Sequence, residues 1–169
     1  IAINESYNSE EVITNLIETA RTLREADELQ SVEFFEKAMQ LSKNAGFSIG
    51  TGECLIELAL INSKKGDIGL AMKQFHEAAL IFEKSEAKLK AYECLHLLSD
   101  LCYKIGNYDQ ALESRVMALH FAKQIKDNII IASSYNKLGD IYKALGDYEK
   151  AIVNHQQSLK ISESIKDKE

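Results

Sequence analysis

The stretch YNKLGDIYKALGDYEKA, residues 135–151, decides the fold of this chain. Its apolar residues recur every three or four positions, which predicts one face of an amphipathic helix over about 129–145. Gly146 suits the left-handed backbone that ends a helix, and Asp147 can cap a second helix over about 148–165. Because the turn is so short, the two helices must pack antiparallel. The stretch therefore predicts a helix hairpin.

The same pattern recurs along the chain at intervals of 40 residues. Each copy has a leucine, a glycine eight residues later, and an alanine five residues after the glycine. The three copies are Leu58, Gly66 and Ala71; Leu98, Gly106 and Ala111; and Leu138, Gly146 and Ala151. Self-similarity at such a period indicates stacked repeats, in which each unit buries its apolar face against its neighbours. The chain also has no proline, which would interrupt long helices.

Residues 135–151 resemble the tetratricopeptide repeat. That family's pattern is an aromatic residue, Leu-Gly, a tyrosine, Gly-x-Tyr and an alanine. The matching residues are Tyr135, Leu138, Gly139, Tyr142, Gly146, Tyr148 and Ala151. The resemblance implies an all-α fold, a right-handed α-solenoid of stacked antiparallel helix hairpins. It implies a single array over residues 1–169 with four repeats, at about 10–44, 50–86, 90–126 and 130–166.

The earlier copies depart from the family pattern. Ser99 replaces the glycine of Leu-Gly in the third repeat, and Cys102 replaces its tyrosine. The first repeat is degenerate, since Ala26-Asp27 stands where the turn glycine is expected. The period of 40 exceeds the usual length of about 34 residues. In this the chain is similar to the long-repeat branch found in kinesin light chains and ahead of output domains in bacterial signalling proteins.

Small residues and cysteines allow further local interpretations. Gly139 and Ala151 are expected to let the two helices of the last hairpin approach closely. Gly50-Thr51-Gly52 is interpreted as the linker between the first two hairpins, because no Gly-Lys-Ser/Thr follows to make a phosphate loop. The three cysteines have no CxxC spacing and are interpreted as small buried apolar residues. We therefore expect no metal site and no cofactor.

Composition excludes several classes of partner. The net charge is −6, whereas binding to nucleic acid needs a concentrated basic stripe. No apolar run approaches the length of a membrane span, so no membrane partner is expected. An odd number of cysteines without a disulfide pattern fits a reducing compartment, and a cytoplasmic location is expected. We find no arrangement of a nucleophile with a base, and we expect no enzyme.

The resemblance places the first helix of each hairpin on the concave face of the array. The partner-binding residues expected there are Glu53, Ile56, Glu57, Leu60, Lys64, Glu93, His96, Asp100, Tyr103, Lys104, Asn136, Lys137, Asp140 and Lys143. We call these the inner-face residues. Asp100 and Asp140 are equivalent by the repeat, so a basic or amide-rich protein or peptide is the expected partner. The alternative for each charge is that it is merely solvated.

Two functions are consistent with this pattern. The first is a protein- or peptide-binding scaffold or regulatory module, the sensory or interaction part of a larger signalling protein. The second is homo-oligomerisation of the parent protein, through a terminal apolar strip that includes Ile152, Ile161 and Ile165; alternatively these pack only within their own hairpin. The chain begins with Ile, and Ile125-Lys126-Asp127 recurs at residues 165–167, so we expect a fragment of a larger protein.

Overall fold

The structure is a computed structural model that describes residues 2–166, with side chains from residue 9 onward. Over this part of the chain the regular elements are all α-helices. Their bounds are α1 Ala2–Leu23, α2 Glu28–Ala45, α3 Ser48–Lys65, α4 Ile68–Lys84, α5 Lys88–Lys104, α6 Tyr108–Ile125, α7 Asn128–Ala144 and α8 Tyr148–Lys166. The predicted all-helical fold is confirmed.

The helices form two compact units, which we call the N-terminal unit (residues 1–87) and the C-terminal unit (residues 88–169). In the N-terminal unit, α1 pairs with α2 and α3 pairs with α4, and α3 also packs against α1 and α2. In the C-terminal unit, α5 pairs with α6, α7 pairs with α8, and α6 packs against α7. Each unit is thus two antiparallel hairpins stacked on each other, as the repeat predicted.

The recurring glycine ends the first helix of three hairpins. Gly146 has φ of +81°, in the left-handed region, and the Asp147 amide donates to the Tyr142 carbonyl at 2.9 Å. The same closing bond joins the residue after Gly66, and the residue after Gly106, to a carbonyl five residues back. The Asp147 side chain then accepts from the Lys150 amide at 3.1 Å and caps α8. Both predicted roles are confirmed, since the turn is determined locally.

Asp127 caps α7 in a similar way, and this gives a testable consequence. Its carboxylate accepts from the amides of Ile129, at 2.8 Å, and Ile130, at 3.3 Å. Replacing Asp127 with alanine should lower the free energy of unfolding by about 1 kcal/mol, because two amides lose their acceptor. Urea denaturation followed by circular dichroism measures the change. The matched control is Asp67→Ala, whose side chain makes no such bond at the start of α4. Equal losses in the two variants would contradict the assignment.

The interpretation of Gly50-Thr51-Gly52 as a linker is wrong. These residues lie inside α3 and are buried. The joint between the first two hairpins is instead at Gly46, where φ is +70°, and the Phe47 amide donates to the Ser42 carbonyl at 2.8 Å. A Cβ on Gly52 would lie 2.6 Å from the Phe82 ring. The glycine is therefore required by packing between helices, not by a turn.

Small residues lie where the two helices of a hairpin approach each other closely, as predicted, but Gly139 packs differently from the expectation. Ala111 and Ala151 are buried as expected. Gly139, however, faces the imidazole of His155, one turn beyond Ala151, and a Cβ there would lie 2.5 Å from His155 Cε1. The side chain of the second helix fills the space that the glycine leaves open.

The three cysteines are buried and unbridged. Burial raises the pKa of the Cys54 thiol to about 12, so the thiol stays protonated at neutral pH and packs as an apolar group. Among the described residues, no group of three His, Cys, Asp or Glu side chains could hold a metal ion. Within residues 2–166, no helix combines the length and apolar character needed to cross a membrane.

Candidate partner-binding surface

The inner-face residues of the N-terminal unit lie on α3 beside Arg21, in the last turn of α1, and Arg24, just after its end. Arg21 Nε lies 2.7 Å from Glu57 Oε1, and Arg24 Nη1 lies 2.7 Å from Glu57 Oε2. Arg21 also reaches Glu53 Oε2 at 3.4 Å. Both carboxylate oxygens of Glu57 are therefore engaged within the unit, and its side chain is 9% exposed. Glu57 joins α1 to α3 rather than offering a free charge to a partner.

Burial works against the charge of Arg21, but the hydrogen bond and the charge of Glu57 prevail and raise the pKa of the guanidinium. Sequence reasoning named neither Arg21 nor Arg24. The signal was the pair of arginines three residues apart at the end of the first helix. Without a turn glycine in the first hairpin, the register of α1 against α3 could not be predicted.

Leu60 and Lys64 line a cavity in the same unit. Its volume is about 200 Å³, and its other lining residues are Arg24, Glu25, Glu28 and Ile61. Leu60 and Ile61 are its apolar lining residues, and the charged ones come from the turn between α1 and α2, from the start of α2 and from α3. The structure thus brings two predicted inner-face residues together with charges that the sequence analysis did not consider.

In the C-terminal unit, the inner-face residue Asp100 is bound by a buried arginine. Arg115, on α6, has no exposed side-chain surface, and its Nη2 lies 2.6 Å from Asp100 Oδ1. Arg115 also donates through Nε to Ser99 Oγ at 3.3 Å and through Nη2 to the His96 carbonyl at 3.3 Å. Burial lowers the pKa of Arg115 and Asp100 opposes this, but guanidinium remains charged at neutral pH. The Asp100 charge is therefore compensated inside the unit.

His96 completes this cluster. Its Nδ1 accepts a hydrogen bond from Arg115 Nη1, and its Nε2 lies 3.5 Å from Asp100 Oδ2. Burial and the charge of Arg115 lower the pKa of His96, against the opposing effect of Asp100. A neutral imidazole, which can accept at Nδ1, fits this arrangement. His96, Ser99, Asp100 and Arg115, which we call the Arg115 cluster, tie α5 to α6.

Asp140 stands at the equivalent repeat position but in a different environment. Its Oδ1 lies 3.9 Å from Nε2 of His155, the counterpart of Arg115, and both side chains are more than a third exposed. His155 Nδ1 lies 3.0 Å from Asn136 Oδ1. The contact is too long and too solvated to neutralise the carboxylate. The charge of Asp100 is therefore compensated by a buried arginine, whereas the charge of Asp140 is not, although the repeat makes the two positions equivalent.

Asp100 and Asp140 border the same small cavity, together with Lys137 and Tyr103. It measures about 20 Å³, which is room for about one water molecule. Tyr103 is 41% exposed, and its ring lies 5.4 Å from the ring of Tyr108. Outside the cavity lining, the inner-face residues Glu93, Lys104 and Lys143 are exposed. The C-terminal unit thus presents an accessible aromatic side chain, a lysine and a carboxylate close together.

Two family models match the sequence. One, described as tetratricopeptide repeat, matches residues 90–164. The other, described as soluble NSF attachment protein, matches residues 2–126, about three quarters of the chain. No curated protein sequence matches.

Several solved structures are similar. BtubC (BKLC) from P. vanneervenii is 19% identical, with a TM-score of 0.81 over 94% of this chain and 66% of that chain. The apo form of RapI is 19% identical, with a TM-score of 0.77 over 96% of this chain and 49% of that one. The TPR-like repeats of a proposed kinesin light chain from Podospora anserina are 17% identical, with a TM-score of 0.71 over 90% and 76%.

The chain spans just under two thirds of BtubC and about half of RapI. At these identities the likeness shows the fold alone, which is that of TPR-like helical repeats. It agrees with the helix hairpins that the repeat of 40 residues predicted.

Proposed function

We propose that this chain is a non-catalytic scaffold that binds a protein or peptide. The basis is its family, since it belongs to the tetratricopeptide-repeat proteins and, by the match over residues 2–126, to the soluble NSF attachment protein family. The observation that supports this most directly is the accessible group formed by Tyr103, Lys137 and Asp140 in the C-terminal unit. A few such anchors can hold an extended peptide or a helix. We place the module in a larger signalling protein and in the cytoplasm, where its three free cysteines stay reduced.

The charges of this group suggest the chemistry of the peptide. Asp140 has no strong internal counterion, so it can accept hydrogen bonds from a basic or amide side chain. Lys137 lies beside it and can donate to a backbone carbonyl of the same peptide. Tyr103 offers an aromatic face for an apolar or cationic side chain. Asp100 borders the same cavity, but its charge is paired with Arg115.

The test compares the binding of short random peptides to the intact chain and to its variants. We expect the selected peptides to be rich in Lys, Arg, Asn or Gln. Asp140→Lys should weaken their binding by about tenfold or more, because it replaces an accepting charge with a repelling one. Asp109→Lys, which makes the same charge change at an exposed position of α6, is the control and should bind as the unaltered chain does. Unchanged binding by Asp140→Lys, with circular dichroism also unchanged, would place the site elsewhere.

A further inference from the structure

A cavity of about 240 Å³ lies in the N-terminal unit, where α2 ends and α3 begins. Its polar lining side chains carry hydroxyl groups and an ammonium group, and none of its lining residues is acidic. These residues are Ser42, Lys43, Gly46, Ser48, Thr51 and Ile81. A single water molecule needs only about 10–15 Å³, so the cavity has room for a small organic ligand.

Ser42 brings to this cavity a buried hydroxyl group that has no hydrogen-bond partner. Among the described residues, its Oγ is the one buried side-chain nitrogen or oxygen atom that no other group satisfies. The Oγ faces the first turn of α3, since a Cβ added to Gly50 would lie 2.7 Å from it. A buried hydroxyl without a partner is unfavourable, and its presence in a folded protein calls for an explanation.

Packing alone does not require the hydroxyl groups of this cavity, as the repeat shows. Residues 40 apart are equivalent, so Ser42 corresponds to Phe82 and Thr51 corresponds to Ala91. Phe82 and Ala91 are fully buried, and both are apolar. Two core positions that are apolar in the next repeat therefore carry hydroxyl groups where they line the cavity.

The start of α3 adds an environment that is favourable for an anion. Its N-cap residue, Phe47, makes no side-chain bond to the amides of the first turn, so the partial positive charge at this helix end is not compensated there. Lys43 is exposed and forms no ion pair with the other described residues. At the end of α2, the carbonyls of Ser42 and Lys43 are already engaged by the amides of Phe47, at 2.8 Å, and Gly46, at 3.3 Å.

We propose that this cavity binds a small phosphate monoester. The phosphate oxygens accept hydrogen bonds from one ammonium group and three hydroxyl groups, those of Lys43, Ser42, Ser48 and Thr51. Thr51 Oγ1 donates to the Phe47 carbonyl at 3.4 Å, a long bond that it can exchange for a phosphate oxygen. Ile81 supplies an apolar side chain to the lining, and this favours an ester over inorganic phosphate, because an ester brings a carbon group to contact it.

The experiment follows the intact chain, ¹⁵N-labelled at glycine, by heteronuclear NMR while propyl phosphate is added at constant pH and ionic strength. The signals of Gly46, which lines the cavity, and Gly50, in the first turn of α3, should shift. Those of Gly106 and Gly146, in the C-terminal unit, should not. Inorganic phosphate should cause similar shifts with an affinity lower by about fivefold, because it makes no apolar contact. Propanol, which has no charge, should cause none.

Two serine variants of α2 separate ligand binding from packing. Ser42→Ala should weaken the binding of propyl phosphate by about tenfold, because a donor is lost. It should leave the urea midpoint of unfolding unchanged or raise it, since this hydroxyl has no partner in the folded chain. Ser31→Ala is the matched control. Ser31 is equally buried, but its Oγ donates to the Ala20 carbonyl at 2.7 Å, so this variant should lower the midpoint and leave binding unchanged.

Four results would overturn the proposal. Propyl phosphate could shift the glycine signals of both units equally, or shift none of them. Inorganic phosphate could bind as tightly as the ester, which would make the cavity a site for the free anion. Ser42→Ala could bind the ester as the unaltered chain does, or it could lower the urea midpoint as Ser31→Ala does, which would make its hydroxyl part of the packing. None of these results bears on the peptide site at Asp140, which lies in the C-terminal unit and is tested by its own variant.

Discussion

Replacing Asp100 with alanine should destabilise the chain by about 3 kcal/mol. Arg115 has no exposed side-chain surface, and Asp100, 2.6 Å away, is its counterion. Removing one member of a buried ion pair typically costs about 3–5 kcal/mol, because the remaining charge is left uncompensated. We expect the lower end of this range, since Asp100 is itself 42% exposed and water can partly take its place. Urea denaturation followed by far-ultraviolet circular dichroism measures the loss.

The repeat supplies a matched control at the equivalent position. Asp140→Ala removes the same group, but its neighbour His155 is 38% exposed and lies 3.9 Å away, so the expected change is within about 0.5 kcal/mol. A second variant tests the cause. Adding Arg115→Met to Asp100→Ala removes the orphaned charge as well as its partner, and should recover most of the lost stability. Equal losses in the two alanine variants, or no recovery in the double variant, would contradict the role assigned to Arg115.

This prediction also determines how the peptide site can be tested. The sequence made Asp100 and Asp140 look interchangeable, as two carboxylates one repeat apart. A charge reversal at Asp100 would disturb the Arg115 cluster, so a loss of binding could reflect a loss of folding. At Asp140 no buried cation depends on the carboxylate. The binding experiment therefore rests on Asp140 alone, and Asp100 is kept for the experiment on stability.

A structural feature could be predicted from the sequence when it depends on residues that are close together in the chain. The hairpin turn at Gly146 was predicted because the glycine, the capping aspartate and the apolar spacing all act within a few residues. The burial of Arg115 was missed because arginine is usually exposed, and its acceptors come from α5, up to 19 residues away. A signal was present: Phe75, which is 1% exposed, stands 40 residues earlier, so the position is a core position in the preceding repeat.

The charges that the inner face can offer to a partner depend on contacts between helices that the repeat pattern does not specify. Glu57 and Lys137 are equivalent in the repeat, yet Glu57 is bound by two arginines at the end of the first helix, whereas Lys137 borders a cavity with Asp140. The repeat predicts which side chains share a face, because this depends on helix geometry. It does not predict which charges are neutralised, because this depends on the side chain that the next helix brings against each of them.

The second large effect is expected at Gly52. Alanine is favoured over glycine by about 0.8–1.0 kcal/mol in a helix interior, so Gly52→Ala would be stabilising if only local propensity mattered. A Cβ at this position would lie 2.6 Å and 2.7 Å from two carbons of the Phe82 ring, which is fully buried. Overpacking of this kind typically costs about 1–3 kcal/mol. We therefore expect a net loss of about 1–2 kcal/mol in the free energy of unfolding.

Gly69 is the control, because it lies in the first turn of α4 and a Cβ there would meet nothing within 4 Å. Gly69→Ala should leave stability unchanged or raise it by up to about 1 kcal/mol, since only propensity acts. A double-mutant cycle then identifies the contact: Phe82→Leu is destabilising alone, but with Gly52→Ala its cost should be smaller, because the shorter side chain leaves room for the new methyl group. If Gly52→Ala stabilises the chain as much as Gly69→Ala does, or if the cycle is additive, the glycine does not hold α3 against α4 in the way that the distances indicate.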